Sequence, residues 1–195
     1  ADITFDYYIT RFENQVVIDW ETPGAIQFYN VKGESFANSF QVAIDYAPSL
    51  QWNFRLAYKN YRVETRYDSG QKQLPLQPKN RYFFNVGWES KPGTNNQFWR
   101  WDLTWHGLGQ QRLVVNPRDG TGRWAPAYSL LNSQLTRVFS SRFETYLGAE
   151  NIGDYRQVNA IVAADQPFGL LFDSTQIYAP VFGQMAYLGV RWKIK

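Results

Sequence analysis

The stretch QFWRWDLTWHG, Gln97–Gly107, alternates large apolar and hydrophilic side chains along its length. The two sets are Trp99, Trp101, Leu103 and Trp105 on the one hand and Arg100, Asp102, Thr104 and His106 on the other. Successive side chains of a β-strand point to opposite faces, so this segment predicts a strand with one apolar and one hydrophilic face. Two architectures favour such a strand: a soluble sandwich that covers the apolar face with a second sheet, and a barrel with lipid outside and water inside.

The composition restricts the class of protein. Aromatic residues make up 18% of the 195 residues, and the net charge of +3 gives no basic tract that would predict nucleic-acid binding. The chain has no apolar run of about 18 residues, the length that a transmembrane helix needs. It also has no cysteine and a single histidine, so neither thiolate metal sites nor cysteine nucleophiles are available.

Period-two alternation recurs along nearly the whole chain and predicts an all-β protein with eight antiparallel strands. The opening segment, residues 3–19, changes phase near Arg11, which predicts a β-bulge there. Short connections are expected at 47–51, 91–96 and 139–142, and long ones at roughly 21–34, 68–80, 108–126 and 157–181. Short and long connections alternate, as in outer-membrane barrels, which have tight turns at one end and large loops at the other.

The ends of the predicted strands near the short connections carry aromatic residues, as a membrane interface favours. The candidate lipid-facing belt consists of Trp52, Trp88, Trp99 and Trp192. The opposite positions are hydrophilic, which predicts a wet or plugged lumen in place of a small filled core. The candidate lumen-facing residues are Arg55, Arg81, Arg100, Asp102 and His106.

The last ten residues, AYLGVRWKIK (186–195), resemble the C-terminal assembly signal of bacterial outer-membrane barrels, in which a glycine and alternating apolar and aromatic residues end the last strand. The candidate signal residues are Gly189, Val190, Trp192 and Ile194. Lys195 departs from the commonest form of this signal, which has an aromatic residue at the end.

The segment FETYLGAENIGDYRQVN (143–159) resembles the penultimate-strand motif of TonB-dependent receptors. The matching positions after the strand are Asn151, Ile152, Asp154, Tyr155 and Arg156. The segment 178–192 is similar to the end of receptors from the Bacteroidetes group. Weaker similarity covers the rest of the chain, so the last fifty or so residues are expected to be the specific part.

This resemblance implies that residues 1–195 are the eight C-terminal strands of a barrel of about 22 strands, without the plug and the earlier strands. It implies active import of a scarce nutrient, such as a siderophore, cobalamin, another metal chelate or an oligosaccharide, across a Gram-negative outer membrane. The implied partners are the bilayer, the remaining strands and plug, the TonB complex through the plug, and a surface lipoprotein as a candidate. No cofactor is expected.

Two other functions remain open from the sequence. The chain is long enough for a self-contained eight-stranded outer-membrane barrel with an adhesive or structural role, and a soluble β-sandwich that binds sugar through tryptophans is the third alternative. An enzyme is not expected, because a catalytic triad would depend on His106 alone. The segment NPRDGTG (116–122) offers Asp119 to a calcium ion, but without further oxygen ligands it predicts a plain loop tip.

Overall fold

A computed structural model of the chain describes residues 1–19, 22, 25–31, 33–93, 96–114 and 123–194. These residues are all-β, and none of them forms a helix long and apolar enough to cross a membrane. The strands are β1 (Asp2–Glu13), β2 (Val16–Asp19), β3 (Gln27–Asn30), β4 (Glu34–Tyr46), β5 (Trp52–Tyr67), β6 (Gly70–Gln73), β7 (Asn80–Glu89), β8 (Phe98–Leu108), β9 (Gln111–Arg112), β10 (Trp124–Ala125), β11 (Tyr128–Val138), β12 (Phe143–Glu150) and β13 (Met185–Trp192).

Eight long strands form one antiparallel sheet in the order β1-β4-β5-β7-β8-β11-β12-β13. Each of them pairs with the next long strand along the chain, so the predicted up-and-down topology is confirmed. The short strand β6 extends this sheet by pairing with β5, and β2–β3 and β9–β10 form two separate hairpins. Among the described residues β1 and β13 do not pair with each other, so the sheet is open at both edges.

The connections alternate in length as predicted. The short ones join β4 to β5, β7 to β8 and β11 to β12, and together they form the turn end of the sheet. Main-chain hydrogen bonds tighten them, for example from Ser90 N to Trp99 O at 2.8 Å and from Phe139 N to Phe143 O at 3.0 Å. The four long connections lie at the opposite end, the loop end, and the short strands β2, β3, β6, β9 and β10 belong to them.

The register assigns every residue of the sheet to one of two faces, because directly paired residues project to the same side. One row of paired residues crosses six strands: Trp52, Trp88, Trp101, Leu135, Leu147 and Leu188. The side that carries this row is called the apolar face, and the opposite side is called the polar face. The alternation seen in the sequence therefore continues from strand to strand.

The apolar face is not covered by a second sheet. Leu188 is 78% exposed, Trp192 is 73% exposed and Ile194 is 90% exposed. Phe54, Trp88 and Trp101 are half-buried by their neighbours within the sheet. A soluble sandwich would bury such side chains between two layers, whereas in the described ranges the other two sheets are hairpins of two strands. This exposure contradicts the sandwich alternative.

The predicted bulge near Arg11 is wrong. The pairing of β1 with β4 runs without a slip from Asp2 opposite Asp45 to Glu13 opposite Glu34. The phase of the sequence changes because β1 continues past the apolar band, so that Arg11 occupies a position of the apolar face near the loop end. The chain then leaves the sheet at Asn14, whose φ of 53° is left-handed, and enters the β2–β3 hairpin.

Candidate functional site

The polar face brings the five predicted lumen-facing residues to one side of the sheet. Arg55 pairs in register with Asn85, Arg81 with Lys59, and His106 with Phe83, all toward the middle and the loop end. Arg100 and Asp102 pair with Glu89 and Gly87, closer to the turn end. The five residues therefore form two groups, and their exposure to a lumen stays a prediction.

Ion pairs and ring contacts hold several of these side chains. Arg55 Nε lies 3.4 Å from Asp45 Oδ1, and Arg100 Nε lies 2.8 Å from Glu89 Oε1. His106 packs edge-on against Phe83, with ring centroids 5.2 Å apart. The contact with Phe83 makes His106 part of the packed surface of the polar face.

The predicted aromatic belt lies at the turn end on the apolar face. Trp52 and Trp88 are register partners with ring centroids 6.2 Å apart. The ring centroids of Trp192 and Phe143 are 6.0 Å apart. The guanidinium of Arg137 lies over the Trp99 ring at 5.0 Å, an attractive cation–π arrangement. Aromatic rings and an arginine at one height suit a lipid headgroup region, although contact with lipid stays a prediction.

Three of the four predicted assembly-signal residues, Gly189, Val190 and Trp192, lie on the edge strand β13, and Ile194 follows its last residue. Val190 and Trp192 project from the apolar face, and Gly189 projects from the polar face opposite Tyr146. A Cβ on Gly189 would lie 2.3 Å from Tyr146 Cζ, and one on Gly148 would lie 2.2 Å from Tyr187 Cζ. Each glycine thus leaves room for a tyrosine ring of the neighbouring strand, a packing role independent of recognition by an insertion machinery.

The predicted motif after β12 forms a compact turn. Asn151 is buried, and its φ of 50° is left-handed. Its side-chain Nδ2 donates to Tyr155 O at 2.8 Å, and Tyr155 N donates to its Oδ1 at 3.0 Å. Ile152 N donates to Leu131 O at 2.8 Å and thereby continues the ladder toward β11.

Asp154 and Arg156 of the same motif connect this turn to the start of β13. Arg156 Nη2 lies 2.9 Å from Asp154 Oδ1, which also accepts the N–H of Gln184 at 2.8 Å. The Gln184 N–H and the Arg156 guanidinium lower the pKa of the Asp154 carboxyl. A Cβ on Gly183 would lie 2.0 Å from Asp154 Oδ1, so a side chain at this position would displace the carboxylate and its contacts.

Gln157, which the sequence patterns did not single out, fixes the last long loop. Its side chain is buried, and its Nε2 donates to Gln176 O at 2.8 Å. Its Oε1 accepts the N–H groups of Tyr178 at 2.8 Å and Ala179 at 3.2 Å. A lone glutamine in a loop has no periodicity or motif, so only its contacts identify this role.

Hydrogen bonds join the four long connections into one unit, here called the loop cluster. Tyr29 OH of the β2–β3 hairpin accepts Asp68 N at 3.1 Å. Leu76 N donates to Arg112 O at 2.8 Å. Gln111 Nε2 donates to Tyr178 O at 3.2 Å.

Two tyrosines lie at or in the loop cluster: Tyr67, at the loop end of β5, is buried, and Tyr178, in the last long loop, is half-buried. Burial raises the pKa of Tyr67 to about 12, and burial together with the neighbouring Tyr155 raises the pKa of Tyr178 to about 12. Both phenols are therefore neutral at physiological pH. Residues 116–122, for which the sequence predicts a plain loop tip, lie outside the described residues, as does Lys195.

The features described so far define a class of protein. A single antiparallel meander has an apolar face with an aromatic belt, a charged polar face, tight turns at one end and long loops at the other. These are the properties of the wall of an outer-membrane β-barrel.

A family model described as TonB dependent receptor-like, beta-barrel, matches residues 1–152, and the chain belongs to this family. The match lies mostly before the C-terminal fifty residues that were expected to be the specific part. The family is one of transport receptors of the Gram-negative outer membrane. No curated protein matches the chain.

Solved structures share this fold over almost the whole chain. The copper transporter OprC has a TM-score of 0.72 at 14% identity, and the match covers 98% of this chain and 29% of OprC. The ferric-catecholate import receptor Fiu from E. coli K12 has a TM-score of 0.67 at 14% identity, and the match covers 97% of this chain and 25% of Fiu. The ferripyoverdine receptor of the Pseudomonas aeruginosa outer membrane has a TM-score of 0.63 at 12% identity, and the match covers 97% of this chain and 24% of that receptor. The chain thus spans about a quarter of the length of these receptors.

Proposed function

We propose that residues 1–195 form the C-terminal portion of the barrel of a TonB-dependent receptor that imports a scarce nutrient across the outer membrane. The open sheet carries this proposal. Each unpaired backbone group at a sheet edge in lipid costs several kcal/mol, so β1 and β13 need further strands beside them. The remaining strands of a barrel of about 22 strands would supply those partners and leave room for a plug.

The main alternative is an eight-stranded barrel that closes by pairing β1 with β13. Cysteine cross-linking in the outer membrane distinguishes the two, and residues 1–195 contain no cysteine. Three double variants combine Phe5→Cys on β1 with Leu188→Cys, Val190→Cys or Trp192→Cys on β13. All four positions lie on the apolar face of the two edge strands. The matched control pairs Phe5→Cys with Val42→Cys, which are direct register partners on β1 and β4.

The proposal expects a cross-link in the control and none between β1 and β13 of one chain. An intrachain cross-link between the edge strands would show a closed small barrel, and an adhesive or structural role would then replace import. Two cysteines form a disulfide only when their Cα atoms are within about 7 Å, so the result depends on direct pairing.

The imported nutrient is a siderophore, cobalamin, another metal chelate or an oligosaccharide. Similar structures carry the names of a ferric-catecholate import receptor, a copper transporter and a ferripyoverdine receptor, which favours a metal-containing cargo. The loop cluster is the surface that would contact this cargo or a surface lipoprotein. Energy would come from the TonB complex through the plug.

Uptake measurements test the transport function. Cells lacking the gene and cells lacking TonB are compared with the parent strain for uptake of iron-loaded siderophores, copper, cobalamin and labelled oligosaccharides. We expect both deletions to abolish uptake of the same compound. Normal uptake of every compound, together with a loss of cell adhesion, would contradict the proposal.

A further inference from the structure

Two positive side chains stand directly opposite each other on the polar face. Lys59 of β5 and Arg81 of β7 are register partners, which separates their Cβ atoms by about 4.5–5.5 Å. Like charges in this position destabilise a sheet. The next residues in the same row are Gln41 on one side and Leu108 on the other, and neither carries a charge.

No carboxylate among the described residues compensates these two charges. Asp45, on the same face, is already paired with Arg55. Asp6 lies in the same row as Lys59, but Gln41 stands between them, which places Asp6 two strand spacings, about 10 Å, away. Within the described ranges neither Lys59 nor Arg81 forms a salt bridge.

A shallow cavity lies over this pair. Its volume is about 340 Å³, and the lining includes Gln41, Arg55, Lys59, Arg81, Phe83 and His106. The polar groups of this lining are mostly hydrogen-bond donors: a guanidinium has five N–H groups, an ammonium has three and an amide has two. Arginine with lysine in one cavity matches the geometry of carboxylate and phosphate oxygens.

We propose that Lys59 and Arg81 form a binding site for the carboxylate or phosphate group of a small anionic ligand that moves along the polar face. The bound anion would lie between the two cations and remove their repulsion. Arg55, which is held by Asp45, and Gln41 border the site. The inference rests on the proposed function in one respect, because the polar face must line the interior of the barrel, beside the plug, where the imported ligand passes.

Binding of citrate and of inorganic phosphate to the full receptor in detergent tests this site, with calorimetry at constant ionic strength. The variants are Lys59→Gln, Arg81→Gln and the double variant. Arg142→Gln is the matched control, because it removes one charge from an exposed residue in a short turn at the opposite end. We expect each single substitution to weaken citrate binding about tenfold, as for loss of a charged hydrogen bond, and the control to bind like the wild type.

The melting temperature without added anion gives a second, independent readout. Because the substitutions remove a repulsion, we expect the double variant to melt at the same temperature as the wild type or higher. A lower melting temperature would mean that a carboxylate of the receptor itself already occupies the site, and the proposal would be wrong.

The proposal is also wrong if the wild type binds neither anion, or if the double variant binds citrate as the wild type does. A receptor that inserts and imports its nutrient but binds neither citrate nor phosphate refutes this site alone. A closed eight-stranded barrel in the cross-linking experiment refutes the proposed function instead.

Discussion

The side-chain amide of Asn151 makes two hydrogen bonds with the main chain of Tyr155. Its Nδ2 donates to Tyr155 O at 2.8 Å, and Tyr155 N donates to its Oδ1 at 3.0 Å. Asn151 N in turn donates to Asn132 Oδ1 at 2.8 Å on β11. One buried residue thus fixes both the end of β12 and the start of the last long loop.

Replacing Asn151 by alanine should loosen this turn. The substitution leaves the N–H and the C=O of Tyr155 without their partner, and we expect the free energy of local opening to fall by about 1–3 kcal/mol. Hydrogen exchange of the Tyr155 amide measures this quantity.

The matched control is Asn159→Ala. Asn159 has a similar left-handed φ of 54° but is exposed, so the backbone strain is comparable while the buried hydrogen bonds are missing. An equal loss in both variants would show that backbone strain, and not the amide contacts, explains the effect.

Gln157→Ala should make the last loop more sensitive to proteolysis. The N–H groups of Tyr178 and Ala179 lose their acceptor, so the loop opens more often. Chymotrypsin has exposed targets there, with Phe168 and Leu170 almost fully accessible. We expect cleavage of the receptor in outer-membrane vesicles to be about tenfold faster, corresponding to an opening free energy lower by about 1.4 kcal/mol.

Gln166→Ala, at an exposed glutamine of the same loop, is the control and should be cleaved at the wild-type rate. If Gln157→Ala were cleaved at the wild-type rate too, the buried amide would not hold the loop.

The pH dependence of the turn after β12 follows from Asp154. Its pKa is lowered in the folded state, chiefly by the Gln184 N–H and also by Arg156. A lowered folded-state pKa means that the stabilisation is present above the unfolded-state pKa, about 3.9, and is lost as the pH falls through the folded-state value. We therefore expect the protection factor of the Gln184 amide to decrease below about pH 4.

Asp154→Asn removes the titrating group and should make this protection factor independent of pH in that range. A pH-dependent loss that persists in the variant would assign the effect to another group.

The assembly signal at the C-terminus leads to a prediction about abundance. Gly189→Leu, or aspartate at Trp192 and Ile194, should lower the amount of receptor in the outer membrane without changing transport per inserted molecule. The last strand must be recognised as an edge, and a charge on its lipid face costs up to a few kcal/mol, less for acidic than for basic residues. Immunoblots of outer-membrane fractions, compared with uptake per receptor, check this outcome.

A second substitution distinguishes a packing effect at Gly189 from failed recognition of the strand. The Tyr146 ring occupies the space in which a Cβ of residue 189 would lie, so Tyr146→Ala should rescue Gly189→Ala if the clash alone lowers abundance. Failure of this rescue supports recognition of the strand. Normal abundance with lost transport would instead place these residues in a ligand site.

The sequence by itself determined the class of fold. Alternation at Trp99, Trp101 and Trp105 predicts the two-faced strand because side-chain direction in a strand depends only on position along the chain. Turn residues in the short connections likewise predict hairpins, and hairpins impose the pairing of consecutive strands. The phase change near Arg11 was misinterpreted, since the sequence does not show where the apolar band of the sheet ends.

Only the tertiary structure decided which residues from different strands stand together. The repulsive pair Lys59 and Arg81 depends on the register of β5 with β7, and a shift by one residue would place one of them on the other face. Gln157 acquired its role from main-chain groups about twenty residues away, which local patterns do not encode. The alternation of one strand is a local property of the chain, whereas a site on the sheet is a property of the hydrogen-bonded register between strands.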